Sequence, residues 1–162
     1  MTLYAKGIFT EDPWRKLEAD GPAHAHALLT LAQWLARGAE FAGLSVGLWL
    51  EPGLRVEDIS GLNQFGVIAL EFPKYTDGRA FSMARQLRAL GYKGDIRAVG
   101  NVLFDQLQLM ARCGFDSFDI SHPATLRLLK SGQRPDLEIF YQPGLGSEVP
   151  AGTRPWTRKR AS

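Results

Sequence analysis

From Leu44 onward the sequence alternates short apolar runs with amphipathic stretches of helical length, and turn-forming residues separate them. "LSVGLWLEP" reads as a strand closed by Pro52, "VEDISGLNQF" as a short helix or turn, and "GVIALEFP" as a buried strand. The helix "GRAFSMARQLRALGY", the strand "DIRAVG", the helix "NVLFDQLQLMARCG" and the strand "FDSFDIS" follow in that order. Strands joined through helices of this length need right-handed crossovers, which generate a mostly parallel sheet. The fold class is therefore α/β, a single domain of repeated β/α units arranged as an open sheet or a partial TIM-barrel-like sheet. Four or five crossover strands are too few for a complete eight-stranded barrel, which takes about 250 residues. A homodimer that completes a half-barrel is an expectation the sequence leaves open.

Elsewhere the pattern is weaker. After an irregular opening, "ALLTL" at 27 to 31 reads as a short strand leading into the helix "AQWLARGAEFAG", with Trp34 and Leu35 on its apolar side. "HPATLRLLKSG" makes a further helix, with Ser121 available as its cap and Pro123 in its first turn, before a last strand "LEIFYQ". Residues 1–145 are expected to form the domain, and 146–162 a Pro/Gly-rich, basic, disordered tail. In the helix from Arg79, Ala80, Met83, Ala84 and Leu87 share one apolar stripe. The helix from Val102 carries apolar residues around more than half its circumference and reads as central. Gln106 falls in that apolar arc, so its amide either braces a loop or reaches a ligand.

With 162 residues the chain can bury a core without disulfides or structural metal. Its formal charge of +2 comes largely from the final "TRPWTRKRAS" and selects no partner class. Aromatic and basic residues do not interleave along a strand, so single-stranded nucleic-acid binding is not expected. The N-terminus lacks the features of a signal peptide, and no apolar run approaches the ~20 residues of a spanning helix. The expectation is a cytoplasmic chain with no membrane association. Lone Cys113 reads as a buried structural thiol, and His24 and His26 in "PAHAHA" lack the further ligands a metal needs.

In parallel α/β sheets ligands bind beyond the carboxyl ends of the strands, so charged residues there are candidates. Glu51, Glu71, Arg97 and Asp119 lie in or at the ends of strands, and alternation puts Glu71 on the face of Val67 and Ala69. Charge in such positions requires an ion pair, a ligand or a metal. One reading is an internal ion network in which Arg97 braces Glu71 or Asp119. The other is an anion-binding rim of Arg97, Lys74, Thr76 and Arg79, with Glu71, Asp77 and Asp119 as candidate acid–base carboxylates. Amides at the helix start near Gly78 favour an anion, whereas Asp77 competes for them as a cap. "GLGSEV" lacks the third glycine of a dinucleotide fingerprint and opens no crossover unit. No cofactor is assigned.

The segments "EDPW", "VGLWLEP", "ALEFPKYTDGRAFSMARQLR", "GDIRAVGNVLFDQLQLMARCGFDSF" and "YQP" resemble the bacterial family catalogued as domain of unknown function 934. Members are described as probable oxidoreductases of sulfite reduction, because their genes lie beside sulfite reductase. The resemblance implies an accessory protein of assimilatory sulfite reduction with sulfite reductase as a partner. The docking region it implies is the 74 to 79 loop, Arg97 and the helix entrance at Asn101. The alternative is a small α/β enzyme acting on an anionic metabolite by carboxylate acid–base chemistry, with or without a metal. The family usually has Asp where this chain has Asn101 and Arg where it has Phe104, so both departures remove charge from the Val102 helix entrance.

Overall fold

A computed structural model describes residues 2–134. The expected strand "LEIFYQ" and the basic tail lie outside the described residues. The strands are β1 (Leu3–Ala5), β2 (Ile8–Thr10), β3 (Arg15–Lys16), β4 (Ala27–Thr30), β5 (Val46–Leu50), β6 (Val67–Phe72), β7 (Asp95–Gly100) and β8 (Ser117–Asp119). The helices are α1 (Leu31–Arg37), α2 (Arg79–Ala89), α3 (Leu107–Arg112) and α4 (Pro123–Lys130). All the strands join one sheet, in the order β2-β1-β8-β7-β6-β5-β4-β3. Neighbours from β3 to β8 run parallel, while β1 is antiparallel to both β8 and β2. The α/β class and the mostly parallel sheet are thus as read from the alternation.

Chain connectivity forces this sheet to curl. Laid flat, eight strands at their usual spacing would put the outer two about 34 Å apart. Yet β2 and β3, the two edges, are joined by residues 11–14 alone, and the step from Thr10 to Arg15 can span no more than about 18 Å. The sheet is therefore a part-barrel, and residues 11–14 cross from one edge to the other.

Period-two alternation sorts side chains to the two faces of the sheet. Leu29, Leu48, Leu50, Ile68, Leu70, Phe72, Ile96 and Phe118 belong to the large outer core, which also contains Ala80, Met83, Ala84 and Leu87 of α2. The opposite, inner face carries a separate cluster of Leu28, Trp49, Val67, Ala69 and Val99, against which Trp14 packs. Gly47 permits this: a Cβ there would sit 2.5 Å from Val67 Cγ1 and 2.8 Å from Leu28 Cδ2. Gly100 ends β7 with φ of 91°, and a Cβ there would lie 2.6 Å from the Phe72 carbonyl oxygen.

Four local expectations need correction. The opening is not irregular, because β1, β2 and β3 complete both margins of the sheet; each is three residues or shorter, too brief to show a period. Leu35 is 77% exposed, so the buried side of α1 is set by Trp34, whose ring meets Phe65 edge-on at 5.1 Å. Thr30 starts α1 with a capping box to Gln33. The helix from Val102 is not central: after extended Leu103 the chain makes only a 3₁₀ turn, Phe104–Gln106, before α3, and Leu109 is half exposed. Finally, Ser121 does not cap α4. Its hydroxyl donates to the Gly100 carbonyl, while His122 Nδ1 accepts from the Thr125 amide at the helix start.

Candidate functional site

Register stacks the inner face in layers. Trp49, Ala69, Arg97 and Ser117 are successive partners across β5 to β8, and Glu71 faces Val99 one layer nearer the carboxyl ends. Asp119, two residues beyond Ser117, points to the same face by alternation.

Arg97 is 3% exposed, and each of its guanidinium nitrogens has a partner. Nη1 donates to both carboxylate oxygens of Asp12, at 2.8 and 2.7 Å. Nη2 donates to Asp95 Oδ2 at 3.1 Å, and Nε to Ser117 Oγ at 3.2 Å. The Ser117 hydroxyl in turn lies 2.8 Å from both Asp95 oxygens. Asp12 comes from the crossing segment, where its Oδ1 also accepts the Trp14 amide. Of the two readings of Arg97, the internal network describes its contacts, but the carboxylates are Asp12 and Asp95 rather than Glu71. Glu71 instead accepts the Trp49 indole N–H at 2.8 Å.

Asp119 stands apart from this pairing. Its residue is 6% exposed, and its Oδ1 is enclosed without a hydrogen-bond partner among the described residues. Burial pushes its carboxyl above the usual range; the charge of Asp12 adds to that, while the amino-terminal charge, Arg97 and a Thr2 backbone hydrogen bond act the other way. Burial also raises Asp95, opposed by its Ser117 and Arg97 hydrogen bonds. The electrostatic reason is plain: one buried guanidinium faces Asp12, Asp95 and Asp119, so three ionised carboxylates would leave excess negative charge in a dry interior.

Between the crossing segment and the inner face lies about 310 Å³ of empty space, part of it open to solvent. Asp12, Trp14, Arg15, Lys16, Leu28, Trp49, Arg97, Val99 and Asp119 line it. Arg15 is turned back on the backbone carbonyls of Asp12 and Trp14. The Lys16 ammonium sits 4.1 Å from the centroid of the Trp49 ring and makes no salt bridge among the described residues. Two indoles and aliphatic side chains form its walls, with few polar atoms facing the space.

The other sequence candidates lie elsewhere. Asp77 Oδ1 accepts the Arg79 amide at 3.1 Å, and its carboxylate pairs with the Arg79 guanidinium at 2.9 and 2.6 Å. The Arg79 side-chain bonds, then the backbone bond, lower the Asp77 pKa to about 2, which suits a turn-stabilising group rather than a proton donor near neutrality. Lys74, Thr76 and Asn101 are exposed and, like Arg79, do not line the inner pocket. Gln106 takes the bracing role: Nε2 donates to the Tyr75 carbonyl at 2.7 Å, although Oε1 is enclosed without a partner. Cys113 is buried, and burial raises its thiol. Among the described residues no group of three or more His, Cys, Asp or Glu is placed to hold a metal.

Sequence reasoning missed Asp12, Trp14, Lys16 and Asp95. The "EDPW" run was the available signal, since an Asp, a Pro and a Trp clustered in a supposedly irregular opening fit poorly with a solvated loop. The family model described as "Bacterial protein of unknown function (DUF934)" matches residues 47–151. The chain belongs to this family. The DUF934 match contains Trp49, Glu71, Asp95, Arg97, Ser117 and Asp119, whereas Asp12, Trp14 and Lys16 precede it. The inner site of this DUF934 chain is therefore assembled from both sides of the boundary of the match. No curated protein matches the chain. No helix among the described residues is long and apolar enough to cross a membrane.

Proposed function

We propose that this chain is a small-ligand accessory protein of assimilatory sulfite reduction, which holds an anionic ligand in the pocket at the carboxyl ends of the inner-face strands. The observation that carries the binding half is Lys16, which lines the pocket with its ammonium over the Trp49 ring and has no salt bridge among the described residues. Lys16 supplies the positive charge that Arg97, committed to Asp12 and Asp95, does not. The metabolic half rests on the resemblance to a family associated with sulfite reduction, and sulfite reductase is the partner it suggests.

A thermal-shift series with sulfite, sulfate and phosphate tests the binding half, and reductase turnover with and without the chain tests the metabolic half. One of these anions at a hundredfold excess over its Kd should stabilise the protein by about 2.7 kcal/mol. A flat series removes the pocket as an anion site; unchanged turnover together with failure to co-purify removes the reductase as partner.

The second reading, a small enzyme using carboxylate acid–base chemistry, is favoured by one feature. A carboxyl raised by burial beside a ligand-sized space is the usual setting of a general acid. On that reading Asp119 is the proton donor, Glu71 is held by the Trp49 indole, and Asp77 has no part.

A further inference from the structure

We infer that the ligand of this pocket is an amphipathic organic monoanion: its carboxylate or similar charged group meets Lys16, and a short apolar body lies against the Trp14 and Trp49 indoles. This inference rests on the reading of the pocket as an anion site and adds the chemical class of anion it takes.

The walls select an apolar body. Trp14 from the crossing segment, Leu28 from β4, Trp49 from β5 and Val99 from β7 all line the space, and the last three belong to the buried inner cluster. A hydrated dianion such as sulfate gains nothing from these groups and gives up water against them. A methylene that leaves water entirely for such a wall raises affinity about fourfold.

The charges select a single negative group. Of the cations in the lining, Arg97 is paired with Asp12 and Asp95, and Arg15 Nη1 is turned onto the Asp12 and Trp14 carbonyls. Lys16 has neither commitment, and its ammonium stands 4.1 Å from the centroid of the Trp49 ring. One ammonium answers one charge, while Asp12 and Asp119 in the same lining oppose a second. An anion that meets Lys16 therefore holds the rest of its molecule beside the Trp49 indole. Because part of the space is open to solvent, the enclosed body is short, and the gain from each added carbon should stop after a few.

The test is isothermal titration calorimetry of the full chain near neutral pH at fixed ionic strength. The probes are acetate, butyrate, hexanoate, octanoate and benzoate, the neutral hexanol and benzyl alcohol, and inorganic sulfate. Wild type is compared with Lys16→Met, which keeps an apolar stem at this exposed position and loses the charge; far-UV circular dichroism checks that both are folded. Expected is an affinity that rises about two- to fourfold per methylene from acetate to hexanoate and levels off at octanoate. Hexanoate and benzoate should bind at least about tenfold more tightly than sulfate. Lys16→Met should weaken the carboxylates about threefold or more and leave both alcohols within about twofold. Carboxylate affinity that ignores chain length, or sulfate bound as tightly as hexanoate, with Lys16→Met weakening both, overturns the inference and leaves the anion pocket standing. Alcohols bound as tightly as carboxylates in both proteins, or no saturable binding of any probe, overturns both.

Discussion

Replacing Arg97 with Ala is expected to destabilise the fold by about 3–5 kcal/mol, because it leaves buried Asp12 and half-buried Asp95 without their counter-charge. The loss should appear as a lower urea midpoint. A second substitution measures its cause: in Arg97→Ala, adding Asp12→Asn removes one orphaned charge and should recover part of the stability, a non-additivity expected of groups in one network. The same experiment separates two views of this residue. If Arg97 were a ligand or catalytic group with little structural role, Arg97→Ala would lose binding or turnover at nearly full stability, and Asp12→Asn would rescue nothing. Full additivity of the two substitutions would mean that the hydrogen bonds between Arg97 and Asp12 carry no coupling in solution.

Phe72→Ala is expected to cost about 3–5 kcal/mol for a different reason. The ring has no exposure and packs against Phe81 edge-on at 5.3 Å and Phe115 at 5.8 Å, joining β6 to α2 and to the turn before β8. Its backbone carbonyl also takes the Asn101 amide, the neighbourhood in which Gly100 closes β7. At roughly 2–4 °C per kcal/mol for a domain of this size, the melting temperature should fall on the order of 10 °C. Because the outer core and the inner face are separate clusters, sulfate affinity below the melting transition should stay within a few fold of wild type. A large loss of affinity in folded Phe72→Ala would mean that the pocket depends on the outer core more closely than the layering implies.

The parallel crossover units were legible because each strand of the middle sheet is a compact apolar run bounded by Gly, Pro or Asp, and α2 follows a clean helical period. The margins were hidden by length: β1, β2 and β3 have three residues or fewer, and their pairing depends on where distant strands end. Arg97, Glu71 and Asp119 could be named from alternation, since period two fixes the face a strand residue takes. Their partners could not. Asp12 reaches Arg97 across 85 positions, and only the curl of the sheet brings that segment inside. The 74 to 79 loop drew attention by composition, but Asp77 and Arg79 satisfy each other locally, which density of charge alone cannot reveal. Gln106 met the rule for a buried amide on one side only: Nε2 found the Tyr75 carbonyl while Oε1 is enclosed without a partner, and the helix that framed the question proved short.

The direction in which burial moves Asp119 fixes what pH should do to the protein. A carboxyl raised on folding favours the folded state most when protonated, so its contribution is present below the unfolded value near 3.9 and is lost as pH rises through the folded pKa. The most direct measurement of the whole account is a benzoate titration followed by the indole N–H signals of Trp14 and Trp49 in proton–nitrogen NMR spectra, assigned by their absence in Trp14→Phe and Trp49→Phe. The account predicts that both signals move saturably with one Kd while that of Trp34, in the outer core, stays in place. Benzoate binding that leaves the Trp14 and Trp49 signals unmoved would contradict it.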